Sequence, residues 1–204
     1  KSSSRQLRFQ DENGHDFPDW EEKKLGDIGS FIGGGTPESS NVEYWSGSIP
    51  WISSSDIKEE TVQKVDITRF ITQEAIDNSA TKIAPKGSIL IVSRVGIGKF
   101  AVAPQDLCTS QDFTSFITDE NSYFLAYYFK AKASHFVRLS QGTSIKGFTG
   151  KDLRNLKFPM PTTSAEQQKI ASFLSSVDTA IEKVSQQIEG AGAFKRGLLQ
   201  KMCV

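Results

Sequence analysis

Residues 165–202 read AEQQKIASFLSSVDTAIEKVSQQIEGAGAFKRGLLQKM, and their apolar side chains recur at Ile170, Leu174, Val177, Ile181, Val184, Ile188, Ala191, Leu198 and Met202. The steps are four, three, four, three, four, three, then seven and four, a heptad register in which Lys195 fills the one polar seam position. Such a stripe wants a partner helix. A helix from Ala165 to Met202 would be about 57 Å long at roughly 1.5 Å per residue, longer than a domain built from the preceding residues is wide. Something outside that domain must cover its far end. Thr163 and Glu166 form a T-x-x-E capping box directly after Pro161, with Ser164 as the alternative cap. Gly190 and Gly192 are the misfits, because two interior glycines cost about 1 kcal/mol each relative to alanine and predict a kink or frayed end after Glu189.

With 204 residues the chain has enough material for one buried core besides this helix. The division expected is a polar lead over 1–19, a mixed α/β domain with an irregular sheet over 20–161, and the long helix over 162–204. Ordered structure is expected from Trp20. The segment 26–32 starts a strand or short helix that stops at the breaker cluster 33–37, which reads GGGTP. Strands are expected at 49–52 and at 87–93, where Ile89, Leu90, Ile91 and Val92 form a short apolar run behind Pro85 and Gly87. Further strands are expected at 99–103 and 113–118, a short helix at 73–80 and a longer one at 122–139.

Lys plus Arg equals Asp plus Glu at 24 each, so net charge advertises neither nucleic acid nor an anionic membrane. Distribution says more than the sum. Acids crowd residues 11–27, whereas residues 130–160 carry Lys130, Lys132, Arg138, Lys146, Lys151, Arg154 and Lys157 against Asp152 alone. A neutral chain with such a split is able to present a basic face, although any single lysine is more commonly just solvated. Cys108 and Cys203 show no metal-binding spacing and suit a reducing compartment. No apolar run approaches a membrane span and residues 1–10 lack a signal-peptide core, so a soluble cytoplasmic protein is expected.

The candidate chemistry is thin. Gly96, Gly98 and Ala101 match a GxGxxA dinucleotide fingerprint, but Pro104 and the strand-like Phe100, Ala101, Val102 run block the helix that should follow. His15 and His135 lack partners, and no nucleophile, acid pair or metal cluster has workable spacing. What survives is a set of loops at 33–37, 53–56, 93–99, 110–112 and 140–146, each mixing Ser, Thr, Gln or Asn with Gly and often a cation. Those side chains hydrogen-bond base edges and phosphate oxygens. One such loop is simply a loop; several make a recognition surface plausible.

Trp20-Glu-Glu-Lys-Lys-Leu-Gly-Asp-Ile, Gly34-Gly-Thr-Pro, Ile49-Pro-Trp-Ile, Asp56-Ile, Gly87-Ser-Ile-Leu-Ile-Val-Ser-Arg, Gly96-Ile-Gly-Lys, Ser140-Gln-Gly-Thr, Pro159-Met-Pro and Glu166-Gln-Gln-Lys-Ile-Ala occur in that order. The combination resembles the specificity subunit of type I restriction-modification enzymes. The resemblance covers nearly all of the chain from about Leu7. It implies one target-recognition domain and one conserved helix where a typical member has two of each, a natural short form or an excised half. It implies reading of one half of a split double-stranded DNA target, through loop positions matching Gly34, Gly35, Thr36, Ser93, Arg94, Lys99, Gln141, Gly142, Thr143 and Lys146. It implies docked methyltransferase subunits that bring S-adenosylmethionine and the catalysis, restriction subunits reached indirectly, and antiparallel pairing of conserved helices. This chain would then hold no cofactor and no metal of its own, and as an isolated half it would form a homodimer through Ile170, Leu174, Val177, Ile181, Val184 and Ile188. Two other classes compete. A coiled-coil adaptor explains the helix but not the loops, and a nucleotide-dependent enzyme would use the Gly96 loop.

Overall fold

Ile89, Leu90, Ile91 and Val92 are all fully buried. A strand apolar on both faces must be covered on both. The computed structural model describes residues 8–139 and 147–202. In chain order its strands are β1 (Glu21–Lys24), β2 (Gly29–Gly33), β3 (Ile49–Ile52), β4 (Arg69–Ile71), β5 (Ile83–Ala84), β6 (Ile89–Val92), β7 (Phe100–Val102), β8 (Leu107–Thr109), β9 (Phe113–Thr118) and β10 (Lys157–Met160). The helices are α1 (Leu25–Ile28), α2 (Gln73–Asp77), α3 (Ser122–Ala131), α4 (Ala133–Leu139), α5 (Gly150–Arg154) and α6 (Ser164–Met202).

One four-stranded sheet is antiparallel throughout, in the order β2-β9-β6-β7. The other runs β4-β3-β8-β5, with β3 and β8 parallel. Successive side chains of β6 alternate between the faces of its sheet. Ile89 and Ile91 join Phe100, Val102 and Phe116 under Leu125, Phe129 and Phe136 of the helices. Leu90 and Val92 join Ala101 and Phe113 against Ile52, Ala84 and Leu107 of the second sheet. A smaller cluster of Trp51, Ile71, Ala75 and Cys108 closes the outer face of that sheet beneath α2. The result is a helix–sheet–sheet–helix stack, the mixed α/β architecture with irregular sheets that the pattern predicts.

The differences from the sequence reading have physical causes. The helix expected at 122–139 breaks at Lys132, whose N–H caps Tyr128 and Phe129 before α4 begins. Phe129 and Phe136 would lie about 10 Å apart along a straight helix. The break brings their rings to 5.3 Å and lets Phe136 sit 5.1 Å from Phe100. Order begins before Trp20: Phe9 packs edge-on against Phe173 at 5.6 Å, and Lys169 Nζ donates to the Gln10 carbonyl at 2.7 Å. The polar lead is thereby fastened to α6. Strand β1, just after Trp20, pairs antiparallel with β10, just before α6.

Helix α6 runs unbroken through Gly190 and Gly192 to Met202, with no frayed end after Glu189. Glycine weakens a helix but keeps its backbone donors and acceptors, and helix formers flank both positions. At the other end Thr163 Oγ1 accepts the Glu166 N–H at 3.3 Å, so Thr163 is the cap. The reciprocal half of the box is missing, because the Glu166 carboxylate turns inward to Arg8 and Trp20.

Candidate nucleic-acid interface

Four polar loops meet at one end of the two sheets. Residues 33–37 follow β2, 53–56 follow β3, 93–99 join β6 to β7, and 110–112 join β8 to β9. Their backbones bond to one another: Gly35 N–H to the Thr109 carbonyl at 2.8 Å, Ser110 N–H to Ile52 at 2.9 Å, and Ser93 N–H to Asp112 at 2.7 Å. Lys99 Nζ crosses to the Ser54 carbonyl at 3.3 Å. A Cβ on Gly34 would sit 2.1 Å from the Ser110 oxygen, and one on Gly35 would sit 2.4 Å from the Thr81 nitrogen. These two glycines are therefore demanded by close approach of backbones. Interlocked in this way, the loop bases form one rigid edge.

Beside that edge lies a cleft of about 320 Å³. Phe31, Phe113 and Phe148 line it, together with Arg94, Gln111, Thr149, Lys151 and Arg154, all five of which are exposed. Among the described residues no carboxylate lies within ion-pair distance of Arg94, Lys151 or Arg154. Local chemistry explains how the cations arrive there. Asp152 accepts the Thr149 N–H at 2.7 Å and its hydroxyl at 2.8 Å, a capping box that starts α5 and so sets Lys151 and Arg154 at the rim. The same donations hold the Asp152 carboxyl below the usual carboxylate range. Phe148 N–H donates to the Ser93 carbonyl at 3.1 Å, so the chain passes next to Arg94 on its way into α5. Three unpaired cations suit phosphates; Arg and Gln suit base edges.

The residues matched to the family divide into two kinds. Arg94 and Thr36 are exposed, with the Thr36 hydroxyl donating to Gln111 Oε1. Ser93 is 2% exposed, and its hydroxyl donates to the Asp112 carbonyl at 3.1 Å while accepting from Thr114 Oγ1 at 3.0 Å. Ser93 thus knits the edge from inside. Gln141, Gly142, Thr143 and Lys146 lie outside the described residues. Gln111, Lys151 and Arg154 had no place in the motif match, although the last two stand in the basic run 130–160 and Gln111 in a polar loop. Arg69 was missed altogether. It lies 4.7 Å from the Trp51 ring centroid, donates to Ser53 Oγ at 2.7 Å and pairs with Asp56, a strut for the loop after β3.

The Gly96 loop is a hairpin. Strand β7 returns antiparallel to β6, and Gly96 and Gly98 take φ of +89° and +104° to make the turn. A dinucleotide fold needs a helix at that point. Among the described residues no group of three or more His, Cys, Asp or Glu side chains is placed to hold a metal ion, and no helix is long and apolar enough to cross a membrane. Along the seam, Ile170 and Leu174 pack into the domain's own core, while Val177, Ile181, Val184 and Ile188 are exposed.

Residues 18–190 match the family model for the type I restriction modification DNA specificity domain. The chain is 39% identical over 176 residues to the type I restriction enzyme MjaIX specificity subunit of Methanocaldococcus jannaschii, covering 84% of the chain and 40% of that protein. It is 34% identical over 174 residues to the EcoR124I/EcoR124II specificity subunit of Escherichia coli, covering 80% of the chain and 42% of that protein. It therefore spans about two fifths of the length of these curated relatives. Its fold superposes on the S subunit from M. genitalium with a TM-score of 0.65 at 18% identity, over 96% of this chain and 47% of that one. The HsdS subunit from Thermoanaerobacter tengcongensis gives a TM-score of 0.60 at 22% identity, over 83% of this chain and 40% of that one.

Proposed function

The chain belongs to the type I restriction-modification DNA specificity family, and from that premise we propose that it reads one half of a bipartite double-stranded DNA target for a restriction-modification enzyme. One observation carries the reading: four polar loops and the exposed cations Arg94, Lys151 and Arg154, without an ion-pair partner among the described residues, gather at one end of a rigid double sheet. Cations on the rim hold phosphates and set register, while Arg94, Gln111 and Thr36 discriminate base edges. Ser93, Gly34, Gly35 and the Arg69 strut keep the loop bases from yielding when DNA docks.

In this reading the chain does no chemistry of its own. Methyl transfer and S-adenosylmethionine belong to a methyltransferase subunit docked beside it, and restriction subunits join through that assembly. Helix α6 pairs antiparallel with the helix of a second copy and holds two readers apart. The test is reconstitution. The purified chain alone should neither methylate nor cleave DNA, whereas addition of a cognate methyltransferase subunit should yield methylated sites that share a split sequence. Methyl transfer by the chain alone, or methylated sites with no common sequence, would overturn the proposal.

A further inference from the structure

Helix α6 is fastened to the domain along its root, from Glu166 to Leu174, where Ile170, Ala171 and Leu174 pack into the core, and again farther out by a segment that takes no part in the reading edge. At its root Glu166 is 1% exposed and accepts from Arg8 Nη2 at 3.2 Å and Trp20 Nε1 at 3.1 Å. Gln167 accepts the Asn121 N–H at 3.1 Å and donates to the Pro161 carbonyl at 3.2 Å. Further along, residues 61–64 cross the helix as a strap. Thr61 Oγ1 donates to Asp178 at 3.0 Å, and Gln63 Nε2 donates to the Ser175 carbonyl at 3.1 Å and to the Tyr127 hydroxyl at 3.0 Å. Tyr127 in turn donates to Asp178 at 2.9 Å, and Lys64 pairs with Glu182. The strap is itself anchored: Val62 is fully buried and its carbonyl accepts the Val102 N–H of β7 at 2.9 Å.

The root contacts end at Leu174, and the strap carries the fastening of the helix on from Ser175 to Glu182. Glu166 and Asp178 are about 18 Å apart, and the helix runs on to about 54 Å from the root at Met202, at roughly 1.5 Å per residue. A tilt of about 10° at the root would move the far end by about 9 Å, nearly three base-pair steps of about 3.4 Å. Beside an open groove between strap and helix, the contacts of this second fastening are the hydrogen bonds of Thr61, Gln63 and Tyr127 and the Lys64–Glu182 pair. Burial raises the Tyr127 hydroxyl above the usual tyrosine value.

We propose that the strap 61–64, with Tyr127 as its partner, is the positioning device that sets the direction in which α6 leaves the domain, and through it the separation of half-sites an assembled reader accepts. The direction stands on the geometry alone; the half-site consequence rests on the DNA-reading function proposed above. Spin labels on cysteines at Lys86 and Gln200, with Cys203 replaced by serine and labelled chain diluted into unlabelled chain, report the direction. The parent should give one narrow distance distribution. Asp178→Ala and Gln63→Ala should each broaden it, with Asp178→Asn restoring most of the narrow peak and circular dichroism unchanged in all three. A parent-like distribution in both alanine variants would overturn the proposal. If a variant loses its fold, Lys64→Ala, which removes only the exposed ion pair, supplies the same readout with a smaller broadening expected, and a parent-like distribution there would overturn the proposal instead. In a second arm, selection from random DNA with the methyltransferase-bound protein should return one spacer length for the parent and several for Asp178→Ala. No enriched sequence for the parent would sink the DNA reading while leaving the distance result to stand; one unchanged spacer in a variant with broadened distances would sink the link to half-site separation.

Discussion

Ser93 and Arg94 are neighbours with opposite duties. The hydroxyl of Ser93 is spent on Asp112 and Thr114, and its neighbour's guanidinium is exposed at the cleft rim. Sequence reading marks both as polar loop residues but has no means of telling which faces in, because that depends on a bond to a residue some twenty positions away. The consequence is testable. Arg94→Ala, Lys151→Ala and Arg154→Ala should each weaken DNA binding, and removing a cation that holds a phosphate should lower the slope of log affinity against log salt by about one unit. Ser93→Ala should leave that slope unchanged and lower the melting temperature, since it strands two partners behind a buried site. An unchanged slope in all three cation variants would remove the cleft from the interface. Asp152 makes a second prediction at this scale. Its carboxyl is held low in the fold by Thr149, so its contribution is complete above the ordinary carboxylate pKa and fades as pH falls through the depressed value. Asp152→Asn should therefore melt below the parent at neutral pH, and the two should converge below about pH 4. A gap independent of pH would mean that the Thr149 cap does not depend on the charge.

Long periodic elements were legible in the sequence and short ones were not. The heptads of α6, the buried run of β6 and the glycine turn after β2 each carry a local signature. Strands β4, β5 and β8 are two or three residues long, too short for any alternation to register, and they exist because the second sheet assembles around β3. The break between α3 and α4 is decided by where Phe129 and Phe136 must be buried, which is a tertiary fact. The cleft follows the same logic: Lys151 and Arg154 were visible in a basic run, but only the Thr149–Asp152 cap brings α5 beside the end of β2. Helix α6 gives a prediction of its own. A Cβ on Gly190 meets nothing within 4 Å, and one on Gly192 meets only the end of Arg196 at 3.7 Å. Gly190→Ala and Gly192→Ala should each stabilise the helix by about 1 kcal/mol, read as a higher melting temperature of the far-ultraviolet helix signal. A loss of helicity would show that the glycines serve a close approach to another chain.

At the scale of the whole molecule, α6 changes allegiance along its length. Ile170 and Leu174 belong to the domain's core, but Ile181 is 59%, Val184 53% and Ile188 68% exposed, with Phe194 at 69% beyond them. Apolar residues in a continuous heptad seam are stable in water only when another surface covers them. A second copy of the same helix, running antiparallel, would supply a matching seam by symmetry and would place the two reading edges at opposite ends of the pair. A two-fold axis between identical readers would favour an inverted-repeat target, with the helix pair as its ruler. The purified chain should therefore sediment as a dimer at micromolar concentration. Replacing Ile181 and Val184 by lysine should convert it to a monomer whose near-ultraviolet spectrum is unchanged, because neither side chain contributes to the domain core. Such a monomer should also bind DNA without the inverted-repeat preference while still engaging it through one cleft, so its salt slope should fall to about half that of the dimer. A parent chain that sediments as a monomer, or a doubly charged variant that remains dimeric, would assign the seam to a helix from a different subunit.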